Sequence, residues 1–464
     1  MDASKRFAEN ISKTEYENLP KEAVLSAKIS ILDTIGCSFA GARVADSEKL
    51  YRLLSNLYKG KCLAIGFRGN INPSAAVLLN TFTGRILDFD ENDEDTGDHP
   101  SVAIVPVGLA ISESEKNISG KEFITAIALG ADIVLRIRRS CPLKLGRHPW
   151  TTGTYAPFAA SATASKLLRF NEEQTWNALG IAFSECSNTV QSHYDGAHTH
   201  RLHHGMAAQA GYLSAIFAKE GFTGVRNILE GEFGFFKSFH SNQYNISILL
   251  ENLGSHFEGV HLGVKSYPCC RLMHGAIDGV FKLTERIENF MVPDIKKITV
   301  KVNKSAYVLC GRQPWSAPKT VVESQFNIPY AVAVALSKGK VTIEEFTEKT
   351  IKDEEVLSLA NKIEVLMDDN LNKIQRQIAP TKISIETKDG KVYECTIEYA
   401  LGDPHNPISN DKINDKFLTN LRYANPNVNL KTATKIMQII WDMENLDNME
   451  TIIKLLRKIN VDND

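Results

Sequence analysis

Apolar residues recur at intervals of three and four positions through the first half of the chain. This helical period predicts helices over residues 20–39, 121–137, 154–168 and 203–218. The helix over 154–168 is rich in Ala and Ser, and small side chains let neighbouring helices approach closely. We therefore expect this helix to be central and buried.

The pattern changes near Val264, where alternation of apolar and polar residues replaces the helical period. Residues 295–308 alternate in this way, which predicts a strand. Residues 382–399 form two alternating runs around Asp389–Gly390, and an Asp-Gly pair between such runs predicts a β-hairpin.

Helical patterns return between and after the strands, over residues 328–337, 343–357, 432–443 and 451–458. This order of elements predicts a mainly α protein with an α+β insert. Residues 1–266 and 398–464 would form one large, discontinuous all-helical domain. Residues 267–397 would form a smaller α+β lid domain.

Composition narrows the class of protein. The chain has 464 residues, 43% of them hydrophobic, and a formal net charge of -2. This near-neutral balance argues against a nucleic-acid binder and against a polybasic membrane-surface protein. The N-terminal residues lack an apolar signal segment, and the eight cysteines include no CxxC pair. We therefore expect reduced thiols in a cytoplasmic protein with neither nucleic-acid nor membrane partners.

Acidic residues crowd into residues 85–101, next to a histidine and a proline. A calcium loop starting at Asp88 would need Gly and Glu where Asp93 and His99 stand, which excludes an EF-hand. Most of this run, including Glu94 and Asp95, is expected to be a solvated loop. Asp88 and His99 stand at its edges, and a carboxylate near an imidazole can fix its tautomer and raise its basicity.

Five of the 12 histidines fall within residues 193–205. A zinc site is one interpretation, although no HExxH motif or cysteine pattern accompanies them. The alternative is a cationic wall that transfers protons, at the N-terminus of the helix over 203–218, where bound anions are favoured.

A third stretch, residues 265–278, places a lysine, an arginine and a histidine around a Tyr-Pro-Cys-Cys turn. Lys265 and Arg271 are suited to holding carboxylates. The chain has no GxGxxG, GxxxxGK[ST] or GxSxG motif, so nucleotide and acyl-serine chemistry lack support. The remaining interpretation is cofactor-free acid–base chemistry on a small anion.

Several blocks in order give the sequence a resemblance to the MmgE/PrpD superfamily along nearly its whole length. They are LDFDEND and HPS within 87–101, TTGTYAPFAASATASKLL, ALGIAFSECSN, THRLHHGMAAQAG, GFTGVRNILEGEFGF and YPCCRLMHGAID. The resemblance implies a helical domain with an α+β lid, in a homodimer. It also implies a metal-free enzyme of the class of 2-methylcitrate dehydratases, cis-aconitate decarboxylases and iminodisuccinate epimerases.

The resemblance and the charged stretches together indicate site residues, with Arg271 and His274 taken from the third stretch. The catalytic group would be Asp88, His99, His148, His200, His274 and Tyr307, and the substrate-binding group Asn92, His203, Lys265 and Arg271. Asn92 stands where cis-aconitate decarboxylases have Thr, His200 where they have Lys, and Cys270 near one of their histidines.

The leading hypothesis is a cofactor-independent lyase, a dehydratase or decarboxylase, acting on a small di- or tricarboxylate such as a citrate- or aconitate-like acid. His99 would move the proton, oriented by Asp88. An epimerase of an iminodisuccinate-like dicarboxylate is the main alternative. A metal-dependent hydrolase built on the histidine cluster and a non-catalytic carboxylate-binding protein are the others.

Overall fold

The first part of the chain folds as a bundle of helices. The structure, a computed structural model, describes residues 2–142, 149–311, 316–374 and 376–461. The four helices predicted in this part are confirmed, but the last one begins at Thr199 rather than His203. The helices of ten or more residues in this part are Ala3–Lys13, Lys21–Gly41, Ala45–Leu57, Pro73–Ile86, Ser101–Ser114, Gly120–Ser140, Ala156–Leu167, Glu172–Phe183 and Thr199–Lys219.

The Ala- and Ser-rich helix Ala156–Leu167 is central, as expected. A Cβ added at Gly130 would lie 2.1 Å from the Oγ1 of Thr163, and one at Gly211 would lie 2.5 Å from the Cβ of Ala160. Such distances leave no room for a side chain. Glycines on the two flanking helices therefore let both pack directly against it.

Shorter elements complete the bundle. Strands Lys59–Leu63 and Asn70–Ile71 pair with each other, as do Asn92–Asp93 and Leu262–Gly263, both antiparallel. The remaining helices of this part are Gln191–Tyr194, Phe235–His240 and Ile246–Leu250, and the C-terminal ones are Asn410–Ala424, Leu430–Trp441 and Glu450–Val461.

The α+β part contains a four-stranded sheet. Its spatial order is Ile363–Met367, Ile295–Val302, Thr381–Thr387 and Val392–Ile397, with the first pair parallel and the others antiparallel. The predicted hairpin is confirmed, and Gly390 turns it with a φ of 84°. The accompanying helices are His274–Arg286, Lys304–Cys310, Val321–Ser324, Ile328–Lys338 and Glu354–Ala360.

Two predicted elements are wrong in extent. The strand over 295–308 stops at Val302, because the Asn303 side chain accepts a hydrogen bond from the Ala306 N–H and caps a new helix. The single helix over 343–357 is instead broken into Ile343–Glu345, Thr350–Lys352 and Glu354–Ala360. Asp353 caps the last of these through the Glu355 and Val356 amides.

The buried side chains form two large apolar cores. One draws on residues 3–257 and 413–459, and the other on residues 269–385. The protein is therefore mainly α with a small β part, while the domain limits at 266 and 397 stay predictions. By length and composition, helix Lys21–Gly41 alone among the described helices could cross a membrane, yet 78% of its apolar window is buried in the protein.

Candidate active site

A cavity of about 170 Å³ is lined by residues of both parts of the chain. It is smaller than the roughly 300–1,000 Å³ of sites for drug-sized ligands, so it suits a small molecule. Helix ends and loops of the bundle supply most of its wall, and the α+β part supplies residues 270–272, 309, 326 and 377–378. Six predicted site residues line it: Asp88, Asn92, His99, His200, Lys265 and Arg271.

The acidic segment after helix Pro73–Ile86 is buried rather than solvated. Glu94, expected in a solvated loop, is only 5% exposed and accepts a hydrogen bond of 2.8 Å from the Nε of Arg271. The expectation fails because the acids have buried cationic partners elsewhere in the chain. Arg139, for example, donates to Asp93 over 2.5 Å. Asp95 is half-exposed.

Asp88 gathers three cations beneath the cavity. Its backbone is left-handed, with a φ of 53°, a conformation that Asp adopts more readily than most residues. The Oδ1 atom contacts the Nη1 of Arg85, the Nζ of Lys265 at 3.0 Å and the Nη1 of Arg201 at 3.4 Å. Burial opposes ionisation, but Lys265, Arg85 and Arg201 outweigh it and hold the pKa of Asp88 well below its usual range.

His99 is oriented by Asp90 and not, as predicted, by Asp88. Its Nδ1 lies 3.0 Å from the Oδ2 of Asp90 and 2.5 Å from the carbonyl oxygen of Glu91. Its Nε2 lies 3.2 Å from the Nη2 of Arg85, and a guanidinium can only donate. The proton of neutral His99 therefore belongs on Nδ1, which leaves the lone pair on Nε2. Burial and Arg85 lower the pKa of His99, while Asp90 raises it.

Histidines from the start of helix Thr199–Lys219 and from the short helix Gln191–Tyr194 form another part of the wall. His193, His200 and His204 line the cavity. The rings of His99 and His204 meet edge to face, with centroids 6.2 Å apart. Burial holds the pKa of His200 and of His204 well below the usual value, and Arg201 and Arg85 respectively reinforce the effect. Both rings are therefore neutral, so the predicted cationic character of this wall comes from Arg85 and Lys265 instead.

Lys265 and Arg271 differ in how much of their charge is available. Lys265 donates to the carbonyl and the carboxylate of Asp88, at 2.9 and 3.0 Å, which leaves one donor of its ammonium group. Arg271 donates to Glu94 and to the carbonyl oxygens of Ala400 and Leu401. Arg271 therefore chiefly ties the acidic segment to the residues after the sheet.

Two family models cover most of the chain. The MmgE/PrpD N-terminal domain matches residues 5–247, and the MmgE/PrpD C-terminal domain matches residues 267–442. The chain belongs to the MmgE/PrpD family. A cis-aconitate decarboxylase of Aspergillus terreus is 26% identical over 96% of this chain and 94% of its own length. The human cis-aconitate decarboxylase is 24% identical over 97% and 94%, and the 2-methylcitrate dehydratase of Salmonella typhimurium 22% identical over 94% and 92%.

Three predicted site residues are not among the described residues that line the cavity. His203 is buried beside Gly153, one turn along the helix from His200. His274 is buried behind Arg271, with its Nδ1 3.0 Å from the Nη1 atom. Tyr307 lies in helix Lys304–Cys310 rather than in a strand, and packs against the second core. His148 lies outside the described residues.

Arg138 is a cavity residue of this MmgE/PrpD protein that the sequence reasoning missed. Its Nε lies 3.1 Å from the Oδ2 of Asp98, and it is 7% exposed. Its Nη1 is buried and has no hydrogen-bond partner within the described ranges. The sequence does show that Arg138 is a charged residue on the apolar face of helix Gly120–Ser140, at helical spacing from Ala131 and Val134. Arg85, Asp90 and His193 were missed as well.

Several buried polar atoms of the described cavity residues have no hydrogen-bond partner. In the part of the chain that the structure describes, buried side-chain atoms of lining residues without a hydrogen bond include Asp88 Oδ2, Asn92 Oδ1, Arg138 Nη1, His204 Nδ1 and both ring nitrogens of His200. Buried polar groups are normally satisfied, so their concentration here indicates a binding site for a polar ligand.

The histidines of this cavity do not converge as metal ligands. Among the described residues, the three-ligand group with metal spacing is His256, Glu258 and His261, none of which lines the cavity. The hydrolase hypothesis required the cluster in residues 193–205 to converge, so this arrangement gives it no support. All eight cysteines lie in described ranges and are free thiols.

Proposed function

We propose that this protein is a lyase that removes water or carbon dioxide from a small tricarboxylic acid of the citrate or aconitate type, without a cofactor. The relatives named as decarboxylases and a dehydratase support the class of reaction. The observation that carries the proposal is the described cavity wall, where His99 with a fixed tautomer stands among Arg85, Arg138 and Lys265.

Charge complementarity supports a substrate with several carboxylates. The described wall holds four cationic side chains, Arg85, Arg138, Lys265 and Arg271, and Asp88 is the acidic residue among the described lining residues. Asp90, Asp98 and Glu94 pair with three of these cations from outside that lining. Arg138 would bind one substrate carboxylate through its unpartnered Nη1, and Lys265 would bind another through its remaining donor. His200 and Asn92 carry unpartnered atoms that would contact the rest of the substrate.

Proton transfer would centre on the Nε2 of His99. A lowered pKa keeps His99 neutral near pH 7, so it acts first as a base. In a dehydration it would take a proton from the carbon beside a carboxylate, and the leaving hydroxyl would take a proton from solvent. In a decarboxylation neutral His99 would first take up a proton from solvent and would then pass it to the carbon that loses carbon dioxide.

Arg85 would link binding to catalysis. In the structure, the N–H of Arg85 Nη2 donates a hydrogen bond to the lone pair of His99 Nε2. A substrate carboxylate that attracts this N–H would free Nε2 for the proton transfer. Arg85 would thus prevent His99 from acting as a base until a substrate anion binds.

The test is to incubate the purified protein with citrate, 2-methylcitrate and cis-aconitate and to follow products by proton NMR and released carbon dioxide. We expect turnover of at least one acid, and a loss of about a hundredfold or more in His99→Gln, as general acid–base catalysis contributes about 10²–10⁴-fold. His405→Gln is the matched control, because His405 is exposed and pairs only locally with Asp403. No turnover of any of the acids, or an unaltered rate in His99→Gln, would exclude the proposal.

A second candidate function is the epimerisation of a small dicarboxylate. The imidazole of His204 next to that of His99 favours it, because epimerisation needs a second proton-transferring group beside the first. Deuterium uptake from solvent into an iminodisuccinate analogue, without a new product, would favour the epimerase over the lyase.

A further inference from the structure

A turn formed by residues 256–261, which are not among the residues lining the cavity, brings three potential metal ligands together. His256, Glu258 and His261 precede strand Leu262–Gly263, and one ligand atom of each lies within 4.8 Å of the others. The Nε2 of His256 is 3.8 Å from the Oε1 of Glu258, and the two imidazole centroids are 5.7 Å apart. We propose that this His-Glu-His turn, residues 256–261, binds a divalent transition-metal ion of the zinc class.

A buried ion pair fixes the backbone of the turn. Arg136, which is fully buried, donates 2.9 Å hydrogen bonds from its Nε to Asp132. Its Nη2 donates to the carbonyl oxygen of His256 over 2.6 Å, and Asp132 accepts from the Glu258 N–H over 2.8 Å. Two of the three ligand residues are thus anchored to one helix, which lowers the entropy cost of assembling the site.

Glu258 is oriented like a metal-ligating carboxylate. Its Oε2 accepts a hydrogen bond of 2.5 Å from the Nη1 of Arg139. Its side chain is only 12% exposed, and its Oε1 faces His256. A carboxylate held by one oxygen from behind leaves the other for a metal, which is the usual arrangement around protein-bound ions.

The charge near the turn favours a dication. Arg139 also contacts Asp93 at 2.5 Å and Asp95 at 3.4 Å, so three carboxylates surround one guanidinium. The excess negative charge offsets the repulsion between Arg139 and a bound cation.

The ligands need only a small movement to coordinate. Tetrahedral coordination at roughly 2.0–2.1 Å brings ligand atoms to about 3.4 Å from one another. The side chain of His256 is 45% exposed, and its Nε2 is already 3.8 Å from the Oε1 of Glu258. Nitrogen and oxygen donors of this kind suit zinc and its neighbours better than calcium or magnesium, which take oxygen ligands.

A bound ion would also stabilise a wall of the cavity. The turn runs directly into strand Leu262–Gly263, which pairs with Asn92–Asp93. Asn92 lines the cavity. We therefore expect the metal to raise the melting temperature of the folded protein, whether or not the protein is a lyase.

The test is a zinc titration of the chelator-stripped full-length protein by calorimetry, with cobalt absorption spectra to report the ligands. We expect one zinc ion per chain, and more than about a tenfold loss of affinity in His256→Ala, His261→Ala and Glu258→Gln. Two controls, His405→Ala on the surface and His204→Ala in the cavity, should bind zinc like the unaltered protein.

Three results would overturn the proposal. They are no stoichiometric zinc binding, affinity that is unaltered in the turn variants, and affinity that is lost only in His204→Ala, which would place the ion in the cavity. His256→Ala alters a half-exposed side chain, so its effect can be read even if His261→Ala, which is more buried, folds poorly.

Discussion

The Oδ2 of Asp90 lies 3.0 Å from the Nδ1 of His99, on the side of the ring opposite to Arg85. The imidazole is thus held between an anion at the nitrogen that carries its proton and a cation at the nitrogen that carries its lone pair. Arg85 and His99 outweigh the burial of Asp90 and hold its pKa below the usual range, so its charge persists at any working pH.

Asp90→Asn should therefore move the acid limb of kcat/KM to lower pH. The carboxylate raises the pKa of His99, so its loss lowers that pKa, and His99 stays neutral further into acid. The plateau rate should fall, because a weaker base abstracts protons more slowly. The measurement is the pH–rate profile, with the exposed Asp411→Asn as control. A limb that stays in place would show that Asp90 is only structural.

Arg138→Gln should weaken substrate binding more than it slows turnover. Loss of one charge-assisted hydrogen bond of about 1.5–3 kcal/mol corresponds to a rise in KM of about 10- to 100-fold. Steady-state kinetics on a tricarboxylate and on a dicarboxylate lacking one acid group provide the check. The dicarboxylate that does not reach Arg138 should be insensitive to the change. Arg52→Gln, on the exposed surface, serves as the matched loss of charge.

Glu91→Gln should stabilise the protein at alkaline pH and leave it nearly unaltered in acid. Burial raises the pKa of Glu91 from 4.5 to about 7, despite hydrogen bonds from Ser30 and Ser101. Its contribution to the free energy of unfolding is complete below pH 4.5 and is lost as pH rises through about 7. The variant should gain up to roughly 3 kcal/mol at high pH. Denaturant unfolding at two pH values tests this, and an equal effect at both would contradict it.

Arg271→Met should destabilise the protein more than Glu94→Gln. Removing Arg271 leaves the buried carboxyl of Glu94 and two carbonyl oxygens without their hydrogen-bond donor. Breaking a buried ion pair by removing one partner costs about 3–5 kcal/mol. Burial raises the pKa of Glu94 to about 7, so this residue is partly neutral already, and glutamine still accepts from the Nε of Arg271. Urea unfolding curves rank the two variants, and the reverse order would refute the argument.

Local patterns in the sequence predicted much of the fold. Helical periodicity located Lys21–Gly41 and Gly120–Ser140, and the Asp389–Gly390 pair located the hairpin, because both signals depend on neighbouring residues. The early start of helix Thr199–Lys219 escaped because its first residue has no side-chain cap before it.

The candidate site was less predictable, because its charges are matched over long chain distances. Glu94 is buried only because Arg271 reaches it from 177 residues away, and Asp93 because of Arg139, 46 residues on. The composition of the acidic run indicates a solvated loop, whereas tertiary partners decide its burial. Arg138 was missed for a similar reason. Its neighbours along the chain do not reveal that it borders a cavity, because residues distant in sequence form that cavity.

The sharing of Asp88 between Arg85 and Lys265 also constrains how this cavity diverges during evolution. A lineage that replaces either cation leaves this buried carboxylate with two of its three cationic partners, one of them Arg201, so either replacement weakens the charge balance of the site. Asn92 and His200 carry atoms without such obligations among the described residues, and can be exchanged one at a time. In the proposed lyase, substrate preference can thus drift at these two positions while the proposed acid–base centre is inherited intact.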